Sequence, residues 1–478
     1  MTTTAPAFTG SRANRGSWLA LAVIGLAQLL VIVDMTIVSI ALPAIQQELG
    51  MSDTGRQWVI TGYTLAFGGL LLLGGRLADR LGRKNTLIVG ALGFAIASAI
   101  GGAAPSAETL IAARVGQGAF AALLAPSAIS LLTLIFTAPR ERAKAFGIFS
   151  AIMMSGAALG LLAGGALTEY LDWRWCLYIN LPIAIVAAVA GRYLLPNVEA
   201  HRRTRLDWLS GLLGSAGIVA LVYALSEAAT SGFGSGLVLG PLGVAVLLLA
   251  CFVLRQARAA NPLLPLRVVT ERSRAAAFLT VAIAAFGMFG MFLFLTYQMQ
   301  AIMGYGALRA GIAFLPLVAA NVLMSTQVTG RLAARTGPRP LLITGLLLLA
   351  AAMLMLTWLT PESSYLGLLL PAELLLGLGA GLAMPTVLNA ATTGVAASES
   401  GVASAFITTS QQVGASLGTA LLNTIAAGAT ASVVGGGVAA ATVHGFATAS
   451  GWAAGILAVG AVGVGLLFRA PAPATVAP

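Results

Sequence analysis

Charge is what this sequence has least of. Asp, Glu, Lys and Arg make up 9% of its 478 residues, against roughly 25% in an ordinary soluble domain. With 58% hydrophobic residues and a mean hydropathy of +0.94, a soluble globule could not hide its apolar surface. Disorder is excluded for the opposite reason, because disordered chains are polar and charge-rich. Cysteine occurs twice, as Cys176 and Cys251 in separate apolar segments, so neither a disulfide framework nor a metal spacing is indicated. Histidine also occurs twice, His201 in a basic stretch and His444 in a Gly/Ala stretch, and no metal site is expected. No Gly-Lys pair exists, which removes the Walker A motif and with it ATP-driven pumping by this chain. No HExxH or GxSxG stands in a fitting context, so a membrane enzyme is disfavoured.

Long apolar runs are what is present, bounded by charges or by Gly, Pro and Ser. At about 20 residues per membrane crossing, they give fourteen predicted spans. Six lie at 17–42, 58–77, 86–104, 108–135, 144–167 and 175–195, and two more at 207–227 and 237–254. The last six are 275–301, 309–331, 340–359, 365–391, 402–427 and 447–469. The expectation is an all-α polytopic membrane protein arranged as 6 + 2 + 6. A cytoplasmic tail (1–16) precedes an N-terminal six-helix half (17–200), and two inserted helices follow (201–255). A C-terminal half with a preceding cytoplasmic linker (256–469) leads to a cytoplasmic tail (470–478). The Gly/Ala/Ser/Thr-rich run 426–451 reads as a mobile outer loop.

The net charge of +11 and the sequence pI near 10.5 do not signal nucleic acid. All but two of the 26 basic residues are Arg, scattered in short connections. With a cytoplasmic N-terminus, 22 basic residues fall in inside segments. Only Arg56, Arg174 and Arg309 fall outside, and Arg114 lies within a span. That asymmetry predicts both termini inside.

The chain also repeats itself. Gly75–Gly90 and Gly330–Gly345 agree at nine of sixteen positions, at an offset of 255. Gly118 and Pro126 match Gly377 and Pro385 at 259, and Gly156–Gly160 matches Gly414–Gly418 at 258. Spans 1–6 and 9–14 are therefore two copies of one unit, as in transporters that bind substrate between parallel halves. A channel would show a filter loop, and none is evident.

Only 15 acids exist, and Asp34 is one that falls inside a span. It lies roughly 12 Å below the outer surface and Arg114 about 10 Å below it, counting 1.5 Å per residue. An intramembrane charge is costly and calls for a partner at its own depth, so these two are expected to pair. Burial disfavours a charged carboxylate and a guanidinium favours it. Separating the pair would therefore couple proton exchange to conformation. Glu373 is similarly deep, and at an offset of 259 it matches Arg114. It could take a cationic substrate or a second proton. Polar and aromatic groups in apolar spans are candidate substrate contacts: Trp58, Tyr63, Gln117, Tyr297, Gln298, Asn321, Asn389 and Gln411.

Four motifs resemble those of the major facilitator superfamily, in its fourteen-span drug/proton antiporter branch (EmrB/QacA type). They are Asp34–Pro43 in span 1, Gly75-Arg-Leu-Ala-Asp79-Arg80-Leu-Gly82-Arg83-Lys84 after span 2, Arg114-Val-Gly-Gln117-Gly118 in span 4, and Gly156…Gly160…Gly164-Gly165 in span 5. The last is followed by Trp173-Arg174 and Asn180-Leu-Pro182, and it has Leu161 where the family usually has Pro. The resemblance implies export of small hydrophobic or cationic drugs in exchange for protons by alternating access. Proton coupling would fall to Asp34, Arg114 and Glu373. Gating would fall to Asp79 with Gly75, Arg80, Gly82, Arg83 and Arg142, Asp79 meeting a facing helix N-terminus and Arg142. Interface packing would fall to Gly156, Gly160, Gly164 and Gly165. No cofactor is implied, nor a partner beyond drug-like substrate, protons and the lipid bilayer. The protein is expected in the cytoplasmic membrane, functional as a monomer. A proton-coupled importer or uniporter of a small metabolite is the alternative on this fold.

Overall fold

The structure, a computed structural model, describes residues 15–197, 207–259, 262–396, 399–433 and 437–468. Both predicted tails lie largely or wholly outside them, as do His201 and the boundary at 200/201. Among the described residues fourteen long helices run in sequence. The first half comprises α1 (Arg15–Glu48), α2 (Asp53–Leu81), α3 (Arg83–Gly102), α4 (Ala107–Ile135), α5 (Pro139–Tyr170) and α6 (Trp175–Leu194). Two helices follow, α7 (Trp208–Ser231) and α8 (Gly236–Arg258). The second half comprises α9 (Arg272–Ile302), α10 (Leu308–Thr336), α11 (Pro338–Trp358), α12 (Tyr365–Thr392), α13 (Ser400–Ser432) and α14 (Val438–Leu467). Thirteen of them are long and apolar enough to cross a membrane. The other, α13, has the length, but Ser, Thr and Gln dilute its apolar character.

One expectation is corrected. Most of the run 426–451 is helix, the end of α13 and the start of α14. Small residues pack helices closely in a bilayer, so a composition that reads as loop in water is not one here.

Side chains start the helices where the backbone leaves N–H groups free. Ser52, Ser106 and Asp207 accept from the first turns of α2, α4 and α7. Pro139 and Pro338 open α5 and α11, where a missing N–H costs nothing. The connections α2–α3 and α10–α11 both turn on a glycine with positive φ, Gly82 (89°) and Gly337 (75°). These two are 255 residues apart, the offset of the sequence repeat.

The repeat governs packing as well. In the first half α4 packs on α2 and α3, and α5 on α1. In the second α12 packs on α10 and α11, and α13 on α9. A Cβ on Gly118 would lie 2.3 Å from the Tyr63 carbonyl and 3.0 Å from the Phe67 nitrogen of α2. One on Gly377 would lie 2.3 Å from the Leu317 carbonyl and 3.1 Å from the Asn321 nitrogen of α10. The matched pairs Tyr63/Leu317 and Phe67/Asn321 are 254 apart, yet Gly75/Gly330 are 255 apart. One extra residue must therefore sit between Asn321 and Gly330. It appears as a π-helical turn at Met324–Val328, the form a single insertion takes inside an α-helix. The Thr329 hydroxyl donates to the carbonyls of Met324 (3.0 Å) and Gly381 (2.8 Å), tying this turn to α12.

Lys144 lies 5.1 Å from the Trp18 ring, which places the start of α1 beside the start of α5. Gly465 near the end of α14 faces Ile343 near the start of α11. Both ends of the described chain therefore stand at the same, arginine-rich end of the bundle. Between the halves α2 packs on α13 and α5 on α10 and α12, while α7 packs on both α2 and α13.

Deleting Thr326 removes the inserted residue and should leave a folded, monodisperse protein by size-exclusion chromatography. Deleting Val318, nearly two turns before the bulge, should rotate the helix beyond it by about 100° and abolish the monodisperse peak.

Candidate functional site

Asp34 is fully buried in α1, and Arg114 of α4 is 2% exposed. The Arg114 Nη1 donates to Asp34 Oδ2 at 2.5 Å, so the pair expected from depth alone is formed. The other carboxylate oxygen, Oδ1, accepts from Gln117 Nε2 (2.8 Å) and from Asn180 Nδ2 (2.7 Å). Both amides also donate to the Ser98 hydroxyl, at 2.7 and 2.9 Å. The guanidinium donates further to Gln117 Oε1 (2.8 Å) and the Val59 carbonyl (3.2 Å), and it lies 4.4 Å from the Tyr63 ring centroid. Five helices of the first half thus converge on one carboxylate. Gln117 and Tyr63, expected as substrate contacts, are here held within the charge cluster. Ser98 and Asn180 were not singled out by sequence. The signal for Asn180 is its place in the polar motif that opens α6 after Trp173-Arg174.

The matching place in the second half is different. Packing of Gly156 and Gly160 on Leu29 and Val33, and of Gly414 and Gly418 on Ala282 and Phe286, aligns α1 with α9 at an offset of 253. Asp34 then matches Gly287, and Arg114 matches Glu373. Glu373 is fully buried, as its depth in the sequence suggested. Its Oε2 accepts from the Tyr365 hydroxyl at 3.3 Å, while Oε1 has no hydrogen-bond partner among the described residues. Tyr365 also donates to the Ala313 carbonyl (2.6 Å). That carbonyl matches the Val59 carbonyl capped by Arg114. Asn321 on α10 is likewise buried, with neither amide atom bonded among the described residues.

The remaining candidates for substrate contact do not form one wall. Trp58 stacks on Tyr223 of α7 at 6.3 Å. Tyr297 stands edge-on to Phe446, and Gln298 donates to the Thr360 carbonyl at the end of the bundle away from the arginines. Asn389 sits near the opposite end of α12, its carbonyl accepting from Thr393. Gln411 is half-buried on α13.

At the arginine-rich end Asp79 accepts from Arg83 (2.7 Å) and from the Gly401 backbone nitrogen (3.2 Å) at the start of α13. The expected helix N-terminus is there. Arg142, the other expected partner, instead donates to Thr392 of α12 at 2.5 Å. No bond from Arg80 to this cluster occurs among the described residues. A Cβ on Gly75 would lie 2.6 Å from the Gly401 carbonyl, and one on Gly401 2.5 Å from Asp79 Oδ1. Ser130 and Ser400 share a hydrogen bond of 2.8 Å. Asp79, Arg142 and Ser130 therefore each join the two halves, and the halves are closed together at this end.

The glycines of α5 sit elsewhere than expected. Cβ atoms on Gly156, Gly160 and Gly164 would strike Leu29, Thr36, Val33 and Ile37 of α1, within the same half, and Gly165 is buried. The glycine of α5 that meets the other half is Gly147, against the Ser325 carbonyl of the π turn. Leu161 and Leu162 face Gly311 of α10.

Residues 24–419 match the model of the Major Facilitator Superfamily. The chain belongs to this superfamily, whose members are transporters. It is 51% identical over 453 residues to the puromycin resistance protein pur8 of Streptomyces alboniger, covering 93% of this chain and 90% of that one. It is 37% identical to the cephamycin export protein CmcT of Amycolatopsis lactamdurans, covering 84% and 83%. It is 33% identical to the multidrug efflux pump LfrA of Mycolicibacterium smegmatis, covering 87% and 82%. These relatives and the fourteen helices agree with the EmrB/QacA-type branch. The human organic anion transporter MFSD10 (TETRAN) shares the fold, with a TM-score of 0.68 over 94% of this chain and 99% of that one at 14% identity.

Removing one member of a buried ion pair leaves the other charge unmatched, at a cost of about 3–5 kcal/mol. Arg114→Met should therefore lower thermal stability in detergent sharply. Asp34→Leu combined with Arg114→Met should recover most of the loss.

Proposed function

We propose that this transporter exports small hydrophobic or cationic drugs from the cell in exchange for protons. The observation that carries the reading is the Asp34 carboxylate, buried at membrane depth and held by a guanidinium and two amides. Its ligands come from α4 and α6, so a shift of these helices against α1 changes how well the charged form is matched. A proton taken up at Asp34 frees Arg114, and its loss restores the pair. The names of the relatives, for resistance to or export of antibiotics, support efflux as the direction and puromycin as the first compound to try.

The arginine-rich end is assigned to the cytoplasm of the plasma membrane by the positive-inside asymmetry. The closed contacts at Asp79, Gly75–Gly401 and Arg142 then seal the cytoplasmic side, which corresponds to the outward-facing state of an alternating-access cycle. Within the motif Asp79, Arg83, Gly75 and Gly82 form the gate contact and its turn. The chain contains both halves and so suffices as a monomer. Glu373, whose Oε1 has no partner among the described residues, takes the positive charge of a cationic substrate or a second proton.

Everted vesicles with an acid interior test the exchange. Adding puromycin should release protons with the wild type and not with Asp34→Asn. Release that persists in Asp34→Asn would move the coupling proton to Glu373. No release with any compound in the wild type would remove antiport and favour the importer or uniporter. Glu373→Gln should raise KM for cationic compounds about tenfold, the loss of one charge-assisted contact, while leaving neutral ones near wild type. An equal change for both classes would contradict its charge-reading role.

A further inference from the structure

The two inserted helices have no counterpart in the repeat, yet they are joined to both halves. Asp207 before α7 accepts from Arg255 of α8 through both oxygens, at 2.9 and 3.1 Å. Hydrogen bonds from Arg255 and Ser210 hold the Asp207 carboxyl down at about 2, so this clip stays charged. Gly217 and Gly214 of α7 lie against Leu249 and Phe252 of α8, and the pair is one hairpin.

On the first half the hairpin fits α2 tightly. A Cβ on Gly69 would lie 2.4 Å from the Val219 side chain and 3.4 Å from the Ser215 carbonyl, and one on Gly211 would lie 2.7 Å from Leu73. Arg76 at the end of α2 donates to the carbonyls of Pro262 and Leu263, just beyond α8. On the second half the attachment is apolar at the end away from the arginines, where Ala420 of α13 is buried with Leu225, Ala228 and Val238 of the hairpin. Thr424 of α13 reaches the Ala228 carbonyl at 3.4 Å. Arg267, in a short helix Leu266–Thr270, pairs with Glu399 at the start of α13, and its side chain is 77% exposed. Between the two attachments lies a separate apolar knot, in which Phe252, Leu264 and Val402 are buried with Leu72, Leu213 and Phe406 against them. It draws on α2, α7, α8, the linker and α13. It stands beside the Gly75–Gly401 crossing, where the halves are closed.

We infer that α7, α8 and their linker form a latch that rides on α2 and releases α13 when the arginine-rich end opens. Opening separates α2 from α13 at Gly75 and Gly401. Glycine-deep packing and two carbonyl bonds keep the hairpin on α2. The parts that yield are the exposed Arg267–Glu399 pair and the contact of Leu264 and Phe252 with Val402. The close packing of this knot and the ion pair carry the hold. The extra helices thereby set how readily the gate opens.

The inference rests on alternating access, so the test separates the two. Ser130→Cys places a thiol beneath the closed contact with Ser400, in a Cys176→Ser/Cys251→Ser background in lipid nanodiscs. Substrate should raise maleimide labelling of this thiol, and if no condition raises it, alternation and the latch both fall. Arg267→Ala together with Val402→Ala should raise substrate-free labelling about threefold or more. Labelling unchanged by these substitutions, with the substrate response intact, overturns the latch alone. As a second measurement, a short bis-thiol cross-link between Leu264→Cys and Val402→Cys should block the substrate-induced rise. One between Leu72→Cys and Leu213→Cys should not. Blocking by both, or by neither, overturns the division of the latch between a fixed and a releasing side.

Discussion

A carboxylate inside a bilayer has no water to complete it, and most of the first half is arranged to meet that demand at Asp34. Both oxygens are matched, one by a guanidinium and one by two amides. The amides in turn share the Ser98 hydroxyl, and the guanidinium is steadied by the Val59 carbonyl and the Tyr63 ring. Each of these groups arrives on a different helix or a different turn, so their mutual position is the packing of α1, α2, α3, α4 and α6. Glycines at helix crossings make that packing possible. Gly118 brings the α4 backbone onto α2, and Gly160 brings α5 onto α1. A carboxylate matched at both oxygens rigidifies its surroundings, and the loss of a single donor leaves a costly remainder.

The seam between the halves at the arginine-rich end is built on another principle. There the halves touch backbone to backbone at Gly75 and Gly401, and polar contacts are few: Asp79 on the start of α13, Arg142 on Thr392, Ser130 on Ser400. Contacts of this kind are modest individually. The charge cluster is a dense polar network within one half, whereas the seam is thin and runs between the halves. The inserted hairpin packs on both α2 and α13 beside that seam.

Much of this was legible in the sequence, because a bilayer imposes length and apolarity on every crossing helix. The spans, the repeat and the pairing of Asp34 with Arg114 follow from hydropathy, offset and depth. The run 426–451 was not legible, since Gly and Ala signify loop in water and close helix packing in lipid. Asn180 and Ser98 escaped because their role depends on how α3 and α6 lean toward α1. The glycines 156, 160 and 164 were readable as packing residues, but which helix they face is a matter of rotation that spacing alone leaves open. The scatter of Trp58, Gln298 and Asn389 has the same origin. The π turn left no trace that spacing alone reveals: the offset of 255 stands in the sequence, but the 254 before it emerges only from the packing of Gly118 and Gly377.

The opposite charges at matched places, Arg114 in one copy and Glu373 in the other, bear on how such a chain came to be. A protein assembled from two identical six-helix subunits could hold a base at that place twice, or an acid twice. It could never hold one of each. Two copies of different sequence can differ there, and here the first holds an ion pair while the second holds an acid with no salt bridge among the described residues. Carrying both copies in a single chain lets the halves differ at matched places and keeps the unlike halves paired one to one.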